Sequence, residues 1–268
     1  MIELDGVTKA FGSRRAVDHL DLHVRAGELF AFLGPNGAGK TTTIKMVCGL
    51  LRPSSGTVKV GGFPAGTREA RQLLAYVPDQ PYLYEKLTGR EFLRFVVDMY
   101  GLEPRRATRR IDDLIETFEM GDYVDELCEG YSHGMKQRVV FASALVHDPK
   151  VLIVDEPLVG LDPRSARIVK DLFIAQARSG VAILMSTHLL AIAEELADTI
   201  GIIDKGRMLA RGTLAEVRER AQVQGPLEGL FLKLTGGDRP ISTAFASGDA
   251  SANGRGPAVL VPGEDGLP

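Results

Sequence analysis

The chain has no tryptophan, two cysteines in 268 residues, and only 6% aromatic side chains. Cys48 and Cys128 belong to no metal-type spacing, which excludes a disulfide framework and a cysteine metal site and fits a reducing compartment. An excess of one charge sign is also missing. The net charge of −3 gives no electrostatic footprint for nucleic acid, so none is expected as a partner. The densest basic cluster, Arg105, Arg106, Arg109 and Arg110, is followed at once by Asp112, Asp113 and Glu116 and reads as a solvated helix face. No uninterrupted apolar run is long enough to cross a bilayer, and MIELDGVTKAFG has no positive-then-apolar signal region. The expectation is a cytosolic protein, with any membrane role borrowed from a partner.

What the chain has instead is a phosphate-type loop. Gly34-Pro35-Asn36-Gly37-Ala38-Gly39-Lys40-Thr41 matches G-x-x-x-x-G-K-[ST] without a gap, and Thr42 continues into the next element. Leu29–Leu33 reads as a buried strand before it, and Thr41–Gly49 as the helix after it. A glycine-rich turn between strand and helix leaves backbone N–H groups pointing inward beside the positive end of the helix dipole, a cradle for phosphate oxygens. Lys40 reaches the terminal phosphates and the Thr41 hydroxyl ligates Mg²⁺ in such a loop. The chain is expected to bind a nucleoside triphosphate.

Along the chain, Ile2–Thr8 and Leu20–Val24 alternate as half-buried strands, with Phe11 between them in a turn beside Gly12. Thr57–Val60 and Ala75–Val77 are further strands, with a short helix at Arg68–Leu74. A region of different character runs from Pro78 to about Met120. Thr88-x-x-Glu91 has capping-box spacing and opens a helix to about Tyr100, whose stripe of Phe92, Phe95, Val96, Met99 and Tyr100 reads as packed core. Pro104 starts a second helix to about Glu119. The strand–helix alternation then resumes. Ser132 caps a helix to about His147, Val151–Val154 is a buried strand, and Asp162-Pro163 opens a helix. Val181–Met185, a helix at Leu189–Ala197, Thr199–Asp204, a hairpin to Met208–Ala210, a second capping box at Thr213-x-x-Glu216 and a short helix after Pro226 complete it. The fold class is α/β with a mostly parallel core sheet.

Kinases, GTPases, motors and transport ATPases share the loop, so a second signal must choose. Val151–Glu156, VLIVDE, ends a strand in two carboxylates. Asp155 is placed to hold Mg²⁺ through water, and Glu156 to orient or deprotonate the attacking water. The stretch Tyr131–Arg138, YSHGMKQR, resembles the signature motif of ATP-binding-cassette (ABC) ATPases, LSGGQ followed by a basic residue, Gln and Arg. Ser132, Gly134, Gln137 and Arg138 match; Tyr131, His133 and Met135 depart, in a known variant form.

The resemblance spans about residues 1–237 and implies a P-loop NTPase (RecA-like) core, an N-terminal antiparallel β subdomain and a helical subdomain at about 78–147. The cassette covers 1–225, a short helix 226–237, and 238–268 reads as a disordered tail. It further implies that Ser132 and Gly134 act in trans on a γ-phosphate held by a partner cassette. Gly160-Leu161-Asp162 resembles the D-loop, His188 the switch histidine, and Phe11 the aromatic that stacks on adenine. The glutamine that senses Mg²⁺ or the attacking water falls on Asp79 by ungapped placement, with Gln80 one residue later; Gln80 is favoured slightly. Pro81–Glu85 resembles the region that meets a helix of the membrane subunit. The implied protein is a Mg²⁺-dependent ATPase at the cytoplasmic face of the membrane. It pairs as a homodimer or heterodimer and works through separate transmembrane permease subunits, with exporter-like motifs. A soluble cassette acting on ribosomes or DNA lacks its second cassette or coiled-coil insertion here, and a non-hydrolysing cassette would have lost Glu156 or His188.

Overall fold

Five-residue runs with every side chain buried can sit only in a sheet covered on both faces, and Leu29–Leu33 (β3) is such a run. The computed structural model describes residues 1–223 and 225–236, all within the compact unit Met1–Gly237. The expected tail, 238–268, lies outside the described residues.

Two sheets are present among those residues. The first holds β1 (Ile2–Phe11), β2 (Arg14–Val24), β4 (Ser55–Val60) and β5 (Phe63–Pro64), antiparallel in the order β2-β1-β4-β5. The second holds β3, β6 (Leu74–Val77), β7 (Val151–Asp155), β8 (Ala182–Thr187), β9 (Thr199–Asp204) and β10 (Arg207–Gly212) in the order β10-β9-β3-β8-β7-β6. Its pairs are parallel except for the β9–β10 hairpin. Because strand side chains alternate, this sheet feeds two cores. Leu29, Ala31, Leu33, Leu152 and Val154 join one with the helices; Phe30, Phe32, Ile153 and Leu184 join another with the antiparallel sheet.

The helices are α1 (Lys40–Val47), α2 (Arg68–Leu73), α3 (Gly89–Tyr100), α4 (Pro104–Thr117), α5 (His133–Leu145), α6 (Pro163–Arg178), α7 (Leu190–Leu196), α8 (Leu214–Ala221) and α9 (Leu227–Thr235). Both capping boxes form, Thr88 with Glu91 and Thr213 with Glu216. Register sets the levels of the strand ends. Leu33 lies opposite Thr187, and Asp155 opposite Ser186, so β3, β7 and β8 finish side by side at the carboxyl edge, where ligands bind in such sheets.

Several expectations need correction. Strands β1 and β2 run well past Thr8 and start well before Leu20, because register shifts around Val7 and Lys9 break the alternation that marks a strand in sequence. Phe11 is therefore the last residue of β1, outside the turn, and pairs with Arg14. On α3 the fully buried face is Gly89, Leu93 and Val97, and of the expected stripe Phe92 and Val96 pack partly buried against the core. Phe95 and Met99 are 40% and 71% exposed, since the helix presents a neighbouring stripe to the core and Phe95 packs edge-on against Tyr84 at 5.5 Å. Helix α5 stops at Leu145, short of His147: Asp148 takes a left-handed φ of 54° ahead of Pro149. The two-residue β5 carries too little periodicity to be read. The arginine cluster is only partly a solvated face, because Arg106 and Arg110 both pair with Asp148 at 2.8 Å.

The sheets are joined at Asp18, a buried residue of β2. Its amide donates to Gly206 O at 2.9 Å, and its carboxylate accepts from Arg207 Nε at 2.8 Å, His19 Nδ1 at 2.9 Å and Arg15 Nη1 at 3.0 Å. Hydrogen bonds from Arg207 and then His19 hold this carboxyl at about 2, below its ordinary 3.8. A depressed folded-state value means the stabilisation is complete above the unfolded value and is lost as pH falls through the folded one. Asp18→Asn is expected to lower the urea midpoint at pH 7, with the gap from wild type closing between about pH 4 and pH 2. Equal gaps at both ends of that range would dispose of the claim.

Candidate active site

The phosphate loop keeps its shape through contacts that only glycine permits at three positions. A Cβ on Gly34 would lie 2.4 Å from Ile203 O, and one on Gly39, at φ +112°, would lie 2.5 Å from Ala16 O. Gly37 sits at φ +80°, a region that L-residues rarely enter. Gly206 N donates to Ala38 O at 2.8 Å, tying the loop to the β9–β10 turn. Gly39 is the N-cap of α1 and supplies no capping side chain. The first-turn amides are thus left for an outside anion. Lys40 is buried and donates to Gly34 O at 2.6 Å and Pro35 O at 3.3 Å. Burial pushes its ammonium below the ordinary lysine value, opposed by the charges of Glu156 and Asp155.

These residues wall a cleft of about 530 Å³. Phe11, Arg14 and Ala16 line it together with Pro35 to Thr42 and with Asp79, Asp155 and Glu156. Asp155 ends β7, 5% exposed, and accepts from Thr41 Oγ1 at 3.2 Å. Burial raises its carboxyl above the usual range, so a cation there would replace lost hydration. A hard divalent ion fits this donor set, one carboxylate and one hydroxyl beside a phosphate cradle, since Mg²⁺ takes few protein oxygens and the rest from phosphates and water. Glu156 follows at φ +49°. Its amide donates to Ser186 O at 2.9 Å, and its carboxylate accepts from Thr187 Oγ1 at 3.1 Å and lies 2.9 Å from His188 Nδ1. Strand β8 thereby brings His188 to Glu156. Asp79 walls the cleft; Gln80, exposed beside it, does not.

The other predicted residues stand elsewhere. Ser132 is exposed as the N-cap of α5 and accepts from Met135 N at 3.3 Å. Asp162 caps α6, accepting from Arg164 N and Ser165 N at 3.0 Å. Arg138 donates to Ser165 Oγ at 2.9 Å, fastening α5 to α6, and a Cβ on Gly134 would sit 3.6 Å from Asp162 Oδ2. Ser132, Gly134 and Asp162 form a second cluster that contributes nothing to the walls of the cleft. Sequence reasoning missed Arg14, because the start of β2 was missed. It also missed Thr187, whose hydroxyl beside the predicted histidine was the available signal. Tyr131, a departure from the motif, is structural: it accepts from Gly89 N at 3.1 Å and donates to Tyr123 O at 2.8 Å.

A family model described as "ABC transporter" matches residues 17–159. This chain belongs to that family. It is the ATP-hydrolysing subunit of an ABC transporter. It is 38% identical over 218 residues to the uncharacterized ABC transporter ATP-binding protein YhaQ of Bacillus subtilis, covering 81% of this chain and 73% of that one. It is 41% identical over 219 residues to the daunorubicin/doxorubicin resistance ATP-binding protein DrrA of Streptomyces peucetius, covering 81% and 66%. Among solved structures, an ATP-binding subunit of an ABC transporter superposes with a TM-score of 0.83 at 34% identity, covering 87% of this chain and 99% of that one.

In this ABC subunit the loop cannot keep its path with a methyl at Gly39. Gly39→Ala is expected to lower thermal stability by more than about 1 kcal/mol and to abolish binding of a fluorescent ATP analogue. An unchanged melting temperature with normal binding would show that the contact with Ala16 is not limiting.

Proposed function

We propose that the subunit powers export of a substrate through separate membrane subunits by ATP-driven, head-to-tail pairing of two cassettes. The observation that carries the reading is the separation of two half-sites. The cleft at Pro35–Thr42 has a phosphate cradle, a cation site and carboxylates, while the exposed helix tip at Ser132–Gly134 does not line it. A helix N-terminus completes a phosphate cage when a second copy presents it.

In this reading Phe11 stacks on the base, Lys40 neutralises the terminal phosphates, and Thr41 and Asp155 hold Mg²⁺, which supplies charge neutralisation when bound. Glu156 orients and deprotonates the attacking water, and His188, 2.9 Å from it, reports the γ-phosphate. Of the two candidates for the sensing position, Asp79 is on the cleft wall. Asp162 faces the partner through the loop at Gly160–Asp162. The segment 78–147 acts as the helical subdomain of a cassette spanning 1–225, with 226–237 an appended helix, and its exposed Tyr82 and Tyr84 meet the permease. Among the described residues no helix is long and apolar enough to cross a membrane, so attachment at the cytoplasmic face runs through that permease. The resistance for which DrrA and the linearmycin resistance ATP-binding protein LnrL of Bacillus subtilis are named, the latter 37% identical over 222 residues, supports export.

Glu156→Gln is expected to reduce hydrolysis by about a hundredfold or more while retaining ATP. With Mg²⁺ and ATP the variant should elute as a dimer in size-exclusion chromatography, and as a monomer without nucleotide. Rapid turnover, or a monomer under both conditions, would reject the assignment.

A further inference from the structure

Two arginines open β2 and have different fates. Arg15 is committed to Asp18, its Nη1 donating at 3.0 Å. The Arg14 side chain has no hydrogen bond or ion pair with any described residue, yet it lines the ATP cleft. Its Nη2 lies 4.0 Å from where a Cβ on Gly37 would be, over the middle of the phosphate loop. The strand register sets this position: Arg14 is the cross-strand partner of Phe11, and the two-residue turn at Gly12–Ser13 holds both at the same lip.

The charge of the cleft gives that placement a purpose. Its walls carry three carboxylates, Asp79, Asp155 and Glu156, against the single buried ammonium of Lys40. A divalent ion on Thr41 and Asp155 would offset part of this excess for an entering polyanionic phosphate chain, and a further cation facing the chain offsets more of it. Arg14 is the remaining cation on the walls, and a guanidinium engages phosphate oxygens through a planar fork of donors. Its reach rules for phosphate over base, because the loop beneath it holds phosphates while Phe11 occupies the base end of the lip.

We infer that Arg14 is a nucleotide-binding residue that contacts the phosphate chain from its place beside Gly37, setting affinity for adenine nucleotides by their phosphate charge. This rests on the reading of the cleft as the ATP site. It makes the end of the first hairpin bipartite, an aromatic for the base and a cation for the phosphates.

The test uses the full-length chain with Glu156→Gln to prevent turnover. Fluorescent ATP is titrated, then displaced by ATP, ADP or inorganic tripolyphosphate. Arg14→Ala is expected to weaken ATP and tripolyphosphate together by about tenfold or more, with Arg14→Lys recovering part of the loss. Its melting temperature without nucleotide should match the parent closely, since no side-chain hydrogen bond or ion pair among the described residues is removed. Binding within about twofold of the parent overturns the inference. So does a loss confined to ATP with tripolyphosphate unaffected, which would move Arg14 to the base or ribose. Lys40→Ala in the same assay separates the premises: if it also binds ATP normally, the cleft itself is misread; if it alone fails to bind, only the role of Arg14 falls.

Discussion

The arrangement depends on backbone meeting backbone where the phosphate loop is wedged between β2 and the β9–β10 turn. A Cβ on Gly39 would lie 2.5 Å from Ala16 O, and one on Gly206 2.8 Å from the same oxygen. Three chain segments distant in sequence therefore share one site that only glycine can close. The Gly206 N–Ala38 O bond and the Asp18–Arg207 pair lie beside it. With the loop clamped, the open α1 terminus is preorganised, so phosphate binding incurs no ordering cost at that point.

Electrostatics follow from the same closure. Burial lowers Lys40 and raises Asp155, so each group is less willing to stay charged alone. Lys40 meets two carbonyl oxygens without a direct carboxylate contact, which keeps its charge available to an incoming anion. Thr41 and Asp155, joined at 3.2 Å across 114 positions of sequence, bring loop and carboxylate to one point. Glu156 is placed by a left-handed backbone turn and steered by Thr187 and His188, so its carboxylate is aimed by β8 as much as by β7.

Much of this was legible in residues, and the limits have physical causes. Runs buried on both faces, such as Leu29–Leu33 and Val151–Val154, announce themselves because every position is apolar. Caps at Thr88, Asp162 and Thr213 are local chemistry and were read in place. The bulged hairpin β1–β2 was not, since each register shift inverts the alternation, and with it went the placement of Phe11 and all of Arg14. The α3 stripe was right for Phe92 and Val96 and wrong for Phe95 and Met99, because two adjacent apolar stripes fit a helical period and only the packing of α3 on its neighbours decides that Leu93 and Val97 go fully inward. At Asp79-Gln80 spacing alone left two candidates, and the path of the chain after β6 puts the first on the cleft wall.

The two half-sites are also connected within one protomer. Helix α5 begins at the exposed Ser132 tip and ends at Leu145, and after five intervening residues the chain enters β7, which ends at Asp155. That joint is anchored from several sides: Asp148 by Arg106 and Arg110, His147 by a stack on Tyr100 at 3.9 Å and by Leu74 O at 3.2 Å, Lys150 N by Leu73 O at 2.8 Å. Asp148 itself holds a backbone conformation unusual for a residue with a side chain. A change in the tilt of α5 would load Val146–Lys150 and the strand that follows, as well as α6 through the Arg138–Ser165 bond. The exposed Ser132 tip and the carboxylates of the cleft are thus two ends of one short, braced path.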